Sequence, residues 1–132
     1  MNNECRQETD KLKFYRKGNV IYGEFKSRVD YDIELAKQAV ELRSCISAGE
    51  RYFLLFDARN LKSITKEARD YLNSDYVTKD MMAAATLVDS AIVKIIVQLF
   101  MVLNKPSCPV RYFNQLADAE KWLQEQEVPV LQ

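Results

Sequence analysis

The sequence of 132 residues contains no histidine. This absence excludes Ser-His-Asp and Cys-His nucleophile pairs, histidine-ligated metal sites and the usual general base near neutral pH. Only three glycines are present, at positions 18, 23 and 49, so neither a GxGxxG motif nor a P-loop can be formed. Carboxylate, lysine or tyrosine chemistry is left open, but we expect a protein that is not an enzyme and has no cofactor.

Cysteine is scarce as well. Cys5, Cys45 and Cys108 are odd in number and widely spaced, and they contain no CxxC pair. Free thiols are therefore the simplest interpretation, and no metal site is expected. The N-terminal segment "MNNECRQETDK" is polar and lacks the apolar run of a signal peptide, which predicts a cytoplasmic protein. We expect residues 1–10 to be flexible.

The charge of the chain is balanced, because 19 basic residues face 19 acidic ones. No summed field attracts nucleic acid or anionic lipid, and no basic block interleaved with aromatic residues is present. A nucleic-acid partner is therefore not expected. The longest apolar run, of about fourteen residues with an internal lysine, is too short for a transmembrane segment. The length suits one domain over residues 1–132.

Hydrophobic periodicity predicts strands that alternate with helices. Residues 12–25 alternate on both sides of Gly18 and Asn19, which predicts a β-hairpin. Continuous apolar runs at 52–57 and 81–88, and a shorter run at 109–113, are typical of strands. Four helices are predicted. The first has Leu35, Ala39, Leu42 and Ile46 at helical spacing and is capped by Asp30 or Asp32. The second begins at about Thr65, the third covers 90–104, and the fourth carries Ala119, Trp122 and Leu123 on one face.

The element order is therefore β-β-α-β-α-β-α-β-α. Strands that alternate with helices predict parallel βαβ units with right-handed crossovers. The N-terminal hairpin supplies an antiparallel edge. We predict an α/β fold with a single mixed sheet and helices packed on it.

The stretch "YFLLFDARNLKSITKEARDYL", residues 52–72, carries a family resemblance. An apolar strand ends at Asp57, Leu61 and Ile64 supply hydrophobic positions, and "TKEA" at 65–68 opens a helix. With the element order, this stretch resembles the small STAS domains of bacterial anti-sigma-factor antagonists, which are related in fold to CRAL-TRIO-like domains. The resemblance implies a regulatory module that binds a protein partner with this loop and helix. The candidate partner-binding residues are Asp57, Arg59, Asn60, Ser63, Thr65, Lys66, Glu67 and Arg69.

The segment "TKEA" departs from the STAS pattern at one important position. STAS antagonists have an Asp-Ser-Ser-Gly-like segment there, and the partner kinase phosphorylates its second serine. Glu67 occupies that position, so the resemblance implies a module without the phosphorylatable serine. Glu67 is either a permanent charge near the helix N-terminus or an ordinary first-turn acid. Thr65 is expected to be the N-cap, and the hydroxyls of Ser63 and Thr65 leave phosphorylation open.

Polar residues follow each strand that is predicted to be parallel. In an open α/β sheet, ligands usually bind at the carboxyl ends of such strands. Close approach of Asp57 and Asp89 would allow them to coordinate a cation or raise each other's pKa. Alternatively, Asp57 accepts hydrogen bonds from backbone amides within its own turn, and Ser90 and Asn114 act as helix caps. The strand-end cluster beyond the first strand consists of Asp89, Ser90 and Asn114.

The third predicted helix, "SAIVKIIVQLFMVLN", is apolar over more of its surface than one sheet requires. Its face with Ile96 suits the core. We predict that the flank formed by Val93, Val97 and Phe100 docks a homodimer partner or another hydrophobic protein, unless helices of the same chain cover it. An alternative function is that of a carrier or sensor of a small apolar ligand, as in CRAL-TRIO-like relatives. A cavity beneath this helix would favour that alternative.

Overall fold

The computed structural model describes residues 7–91, 93–96, 98 and 108–127. Two sheets are present in this part of the chain, one of six strands and one of two. The elements are β1 (Gln7–Glu8), β2 (Leu12–Lys17), β3 (Val20–Phe25), β4 (Val29–Tyr31), α1 (Ile33–Ser47), β5 (Tyr52–Asp57), β6 (Leu61–Ile64), α2 (Lys66–Leu72), α3 (Asp75–Thr78), β7 (Met81–Leu87), α4 (helical at residues 91, 93–96 and 98), β8 (Val110–Phe113) and α5 (Leu116–Glu127).

The larger sheet has the strand order β1-β2-β3-β5-β7-β8. β2 and β3 form the predicted antiparallel hairpin, with Lys17 opposite Val20. Gly18 has φ +60° at the first loop position, which a type II′ turn requires and which glycine adopts without strain. From β3 onward the strands are parallel: β3 to β5, β5 to β7, and β7 to β8. The predicted mixed α/β fold is confirmed.

The smaller sheet was not anticipated by the prediction of a single sheet. β4 and β6 pair in parallel, with Val29 opposite Leu61 and Tyr31 opposite Ile64. Both strands are too short to show a period of two residues in the sequence. The predicted flexible segment 1–10 includes β1, which pairs with β2, and residues 1–6 lie outside the described part.

Helix α1 follows from its local sequence. The Asp32 carboxylate accepts a hydrogen bond of 2.9 Å from the Leu35 backbone N–H, so Asp32 and not Asp30 is the N-cap. Ala48 ends the helix in the left-handed conformation, with φ 51°. Leu35, Ala39 and Ile46 are buried, as the periodicity predicts.

Apolar residues pack on both faces of the larger sheet. One face carries Phe14, Leu54 and Ala84, which share a core with α1 and α2. On the other face, a second core joins β5 and β7 to α5 through a set of small and branched side chains. Trp122 of α5 is only partly buried, and its ring centroid lies 5.8 Å from that of Phe113. The buried residues of this second core are Phe53, Leu55, Ala83, Ala85, Leu87, Ala119 and Leu123.

A substitution at Gly23 tests how closely β3 packs. A Cβ at this position would overlap the Phe14 ring and come within 2.8 Å of Phe56 Cδ1. We expect Gly23→Ala to lower the free energy of unfolding by about 1–3 kcal/mol, because overpacking displaces both rings. Urea denaturation at an unchanged m-value measures the loss.

Gly49→Asn is the control. Gly49 has φ +81°, a Cβ added there would have no neighbouring atom within 4 Å, and asparagine tolerates this backbone conformation. The control should therefore change stability by less than about 1 kcal/mol. Equal losses in the two variants would contradict the packing explanation.

Candidate functional site

The carboxyl ends of β3, β5, β7 and β8 form one edge of the larger sheet. Asp57, the last residue of β5, lies in register between Glu24 of β3 and Leu87 of β7. Leu87 in turn lies opposite Phe113 of β8. The residues that follow these strands, Asp89 and Asn114, therefore belong to the same edge, as the predicted parallel order requires.

Asp57 and Arg59 form a closed turn at this edge. The Asp57 carboxylate accepts the Arg59 backbone N–H at 3.0 Å. The guanidinium of Arg59 donates to both carboxylate oxygens, from Nε at 2.9 Å and from Nη2 at 2.6 Å. The arrangement combines an Asx-type turn with a bidentate ion pair. Because both oxygens of Asp57 are engaged, this carboxylate is not a free base.

Arg59 is the cation of the strand-end edge. The hydrogen bond and the charge of Asp57 raise the pKa of Arg59, burial opposes this effect slightly, and the charges of Asp89 and Glu24 add to it. Acids at or just after the carboxyl ends of three neighbouring strands, β3, β5 and β7, thus act on this guanidinium. No three or more Cys, Asp or Glu side chains within the described ranges are grouped so as to hold a metal ion.

Asn60 has a structural position between the two sheets. Its side-chain Nδ2 donates to the Phe25 carbonyl at 3.1 Å. Its own carbonyl accepts the Val29 backbone N–H at 3.1 Å, and this bond starts the pairing of β4 with β6. Asn60 therefore connects β3, β4 and β6, and its proposed part in partner binding stays a prediction.

The corner between β6 and α2 carries the exposed hydroxyls. Ser63 Oγ donates to Asp30 Oδ1 at 2.6 Å. Thr65 Oγ1 accepts the Ala68 backbone N–H at 3.1 Å, which confirms Thr65 as the N-cap of α2. The Thr65 backbone N–H also donates to the Tyr31 carbonyl at 3.1 Å. This corner is therefore held by hydrogen bonds while its side chains face solvent.

The three charged candidates on α2 differ in their surroundings. Lys66 pairs with Asp70 at 2.8 Å, but with side chains 78% and 51% exposed the pair contributes little to stability. Glu67 is exposed, and the hydrogen bonds and ion pairs seen in the described residues leave its carboxylate unengaged. Arg69 is partly buried, and its Nε atom is buried without a hydrogen-bond partner in this part of the chain.

Of the remaining strand-end residues, Ser90 acts as a helix cap. Ser90 Oγ accepts the Val93 backbone N–H at 3.2 Å, and the Ser90 carbonyl accepts that of Lys94, so Ser90 caps α4 as the alternative predicted. Asp89 and Asn114 are exposed. α5 begins at Leu116, and the described hydrogen bonds include none from the Asn114 side chain.

The predicted hydrophobic interface needs a correction at Val93. This side chain is 4% exposed and belongs to the core with Ile96. The reason is helical geometry, since residues three apart share a face and Ile96 faces the sheet. Ile95 is instead the exposed residue of this segment, at 55%. Val97 and Phe100 lie outside the described residues.

The structure contains a cavity of about 130 Å³ between the larger sheet and the helices, which the residue pattern did not predict. Its walls include side chains of β2, β5, β7 and α1. The signal in the sequence is Arg43, a charged residue on the apolar face of α1. The lining side chains that bear on its chemistry are Phe14, Tyr31, Arg43, Leu54, Ala84 and Ile96.

The fold of the chain is shared with a solved structure. The structure is similar to that of an uncharacterized protein from the DUF3478 family, from Shewanella loihica PV-4, described as having a SpoIIAA-like fold. The two share 18% sequence identity with a TM-score of 0.59, over 93% of this chain and 97% of that one. The domain is therefore STAS-like in fold, as the sequence resemblance implies.

The chain belongs to the family described as domain of unknown function (DUF7793), whose model matches residues 14–127. A comparison with curated proteins finds no match. Within the described ranges, no helix combines the length and hydrophobicity needed to cross a membrane.

Two substitutions at Asp57 separate the turn from the ion pair. Asp57→Asn keeps an oxygen for the Arg59 backbone N–H and loses the charge, whereas Asp57→Ala loses both. Because the Arg59 side chain is 50% exposed, we expect the asparagine variant to lose less than about 1 kcal/mol of stability. The alanine variant should lose about 1–2 kcal/mol. Thermal and urea unfolding measure both.

Lys66→Ala serves as the control, because it removes only an exposed i,i+4 pair and should change stability by less than about 0.5 kcal/mol. Equal losses in the two Asp57 variants would show that the ion pair, and not the turn, stabilises this edge.

Proposed function

We propose that the protein is a non-catalytic, cytoplasmic regulatory module that binds a protein partner. The proposed binding surface is the β6–α2 corner, defined as Ser63, Thr65, Lys66 and Glu67. The observation that carries the proposal is that these exposed side chains stand on a backbone fixed by hydrogen bonds. A surface that is ordered before binding loses less entropy when a partner docks.

The anchors of the corner lie directly beneath it. Thr65 is bonded through its backbone to β4 and through its side chain to α2. Ala68 is fully buried and packs the first turn of α2 into the core. The exposed side chains of Lys66 and Glu67 can therefore change without disturbing this anchor, which suits a recognition surface.

The charges of the corner indicate the chemistry of the partner. Glu67 is exposed in the first turn of α2, where the helix dipole favours a negative charge. A partner that presents arginine or lysine to this carboxylate would form a charge-assisted hydrogen bond. The resemblance to STAS antagonists supports the same surface, and a permanent carboxylate at the position of the phosphorylated serine implies binding that phosphorylation there does not switch.

The state of Asp57 supports a non-catalytic role. It is the acid placed most centrally at the strand-end edge, and Arg59 engages both of its oxygens. A general base needs an oxygen within hydrogen-bond reach of its substrate. With no histidine in the chain, a nucleophile activated by histidine is excluded.

The first test uses a charge exchange at the corner. Lys66→Glu combined with Glu67→Lys keeps the net charge and reverses the local pattern. Lys121→Glu combined with Glu125→Lys on α5 makes the same exchange among exposed residues on the opposite face of the sheet. Tagged proteins are recovered from the native cell extract, and co-purified proteins are quantified by mass spectrometry.

We expect at least one partner that the wild type and the α5 variant retain and the corner variant loses by tenfold or more, since like charges placed opposite each other disfavour binding. Identical partner sets for all three proteins would contradict the proposed surface.

A second test concerns phosphorylation. The serine kinase of a related partner-switching system should add no phosphate between residues 63 and 70, because glutamate stands at the aligned position and Thr65 is occupied as a cap. Intact-protein mass spectrometry measures the result. Stoichiometric phosphate on Ser63 or Thr65 would refute a phosphorylation-independent module.

A further inference from the structure

A cavity of about 130 Å³ lies between the larger sheet and the elements that cover it. The sheet contributes Leu54 and Ala84, the smaller sheet contributes Tyr31, and α4 contributes Ile96. Most of the lining is apolar. An engineered apolar cavity of about 150 Å³ in another protein stays dry and binds benzene, so this space suits a molecule of one ring and is too small for a lipid.

One wall of the cavity carries a buried positive charge. Arg43 of α1 is 6% exposed, although charged residues are rarely buried without an ionic partner. Its Nη2 atom donates to the Val77 carbonyl at the long distance of 3.5 Å, and its guanidinium carbon lies 5.9 Å from the centre of the Tyr52 ring. The ion pairs among the described residues do not include Arg43.

Arg43 acts electrostatically on three neutral groups, Tyr31, Tyr52 and Cys108. Burial raises the pKa values of Tyr31, Tyr52 and Cys108 above their ordinary values, while Arg43 acts on each in the opposite direction. All three are therefore protonated at neutral pH. The guanidinium remains charged in proteins, and it has five donors to satisfy. Val77 and Tyr52 engage part of the guanidinium but carry no negative charge, and an anion in the cavity would supply a charged partner.

We propose that this cavity is a binding site for a small organic anion with an apolar body of about one ring, such as an aromatic carboxylate. The ring would fill the space between Leu54, Ala84 and Ile96. The carboxylate would accept hydrogen bonds from Arg43 and from the Tyr31 hydroxyl, since both residues line the cavity. This function goes beyond partner binding at the β6–α2 corner and does not depend on it.

Benzoate and toluene are the probes, because they share a ring and differ in the charged group. Binding to the full chain is measured by titration calorimetry and by protein-observed NMR. We expect benzoate to bind with one-to-one stoichiometry. Arg43→Met, which keeps an apolar side chain of similar length, should weaken benzoate binding by about tenfold to a hundredfold and leave toluene binding unchanged.

Two further variants make the test specific. Ala84→Leu places three more carbon atoms inside the cavity and should abolish binding of both probes while the protein stays folded. Arg111→Met removes an exposed arginine that does not line the cavity and should leave both affinities unchanged.

The proposal is overturned if benzoate does not bind, if its affinity is the same for wild type and Arg43→Met, or if Ala84→Leu binds it normally. Should Arg43→Met fail to fold, Ala84→Leu and intermolecular NOEs decide. Contacts between the benzoate ring and the methyl groups of Leu54 and Ile96 support the site, and their absence overturns it.

Discussion

Strand β5 is the element on which the rest of the structure depends. It is buried on both faces, so Leu54 contacts one core while Phe53 and Leu55 contact the other. It also pairs in parallel with β3 on one side and β7 on the other. Because β5 is packed on both faces and paired on both sides, the position of its last residue, Asp57, at the centre of the strand-end edge is fixed. The position of the turn that follows is therefore fixed as well.

Local patterns were sufficient to predict the hairpin, the three parallel strands of the larger sheet after it, and the caps at Thr65 and Ser90. The continuous apolar run that ends at Asp57 indicates a strand, and the threonine three residues before Ala68 indicates a helix N-cap. Each pattern involves only residues that are close in sequence. The pairing of β4 with β6 and the tie made by Asn60 were not predictable, because they join residues about thirty positions apart in strands too short to show a pattern. The orientation of Val93 was predicted wrongly, because a helix that is apolar on most sides gives periodicity little to distinguish.

The strand-end edge illustrates a different limit of sequence reasoning. Two acids after neighbouring parallel strands indicate a cation, and the structure does place a cation with Asp57, but it is the guanidinium of Arg59. A metal ion and an arginine can each neutralise acids at the strand ends, and only the geometry of the turn shows which of the two is present. The hydrogen bond from the Arg59 backbone N–H to the Asp57 carboxylate holds the arginine next to the acid two residues before it. This closed arrangement engages both carboxylate oxygens of Asp57 within its own turn.

The corner and the cavity share one strand. Leu61 and Ile64 of β6 line the cavity from one side, and Ser63 and Thr65 face solvent from the same stretch of backbone. Leu72 of α2 lines the cavity too, so the helix that carries Lys66 and Glu67 rests partly on this space. A filled cavity supports these elements with additional contacts, whereas an empty one leaves their inner side chains without partner atoms. The packing of β6 and α2 around this space therefore connects the exposed corner with the interior of the domain.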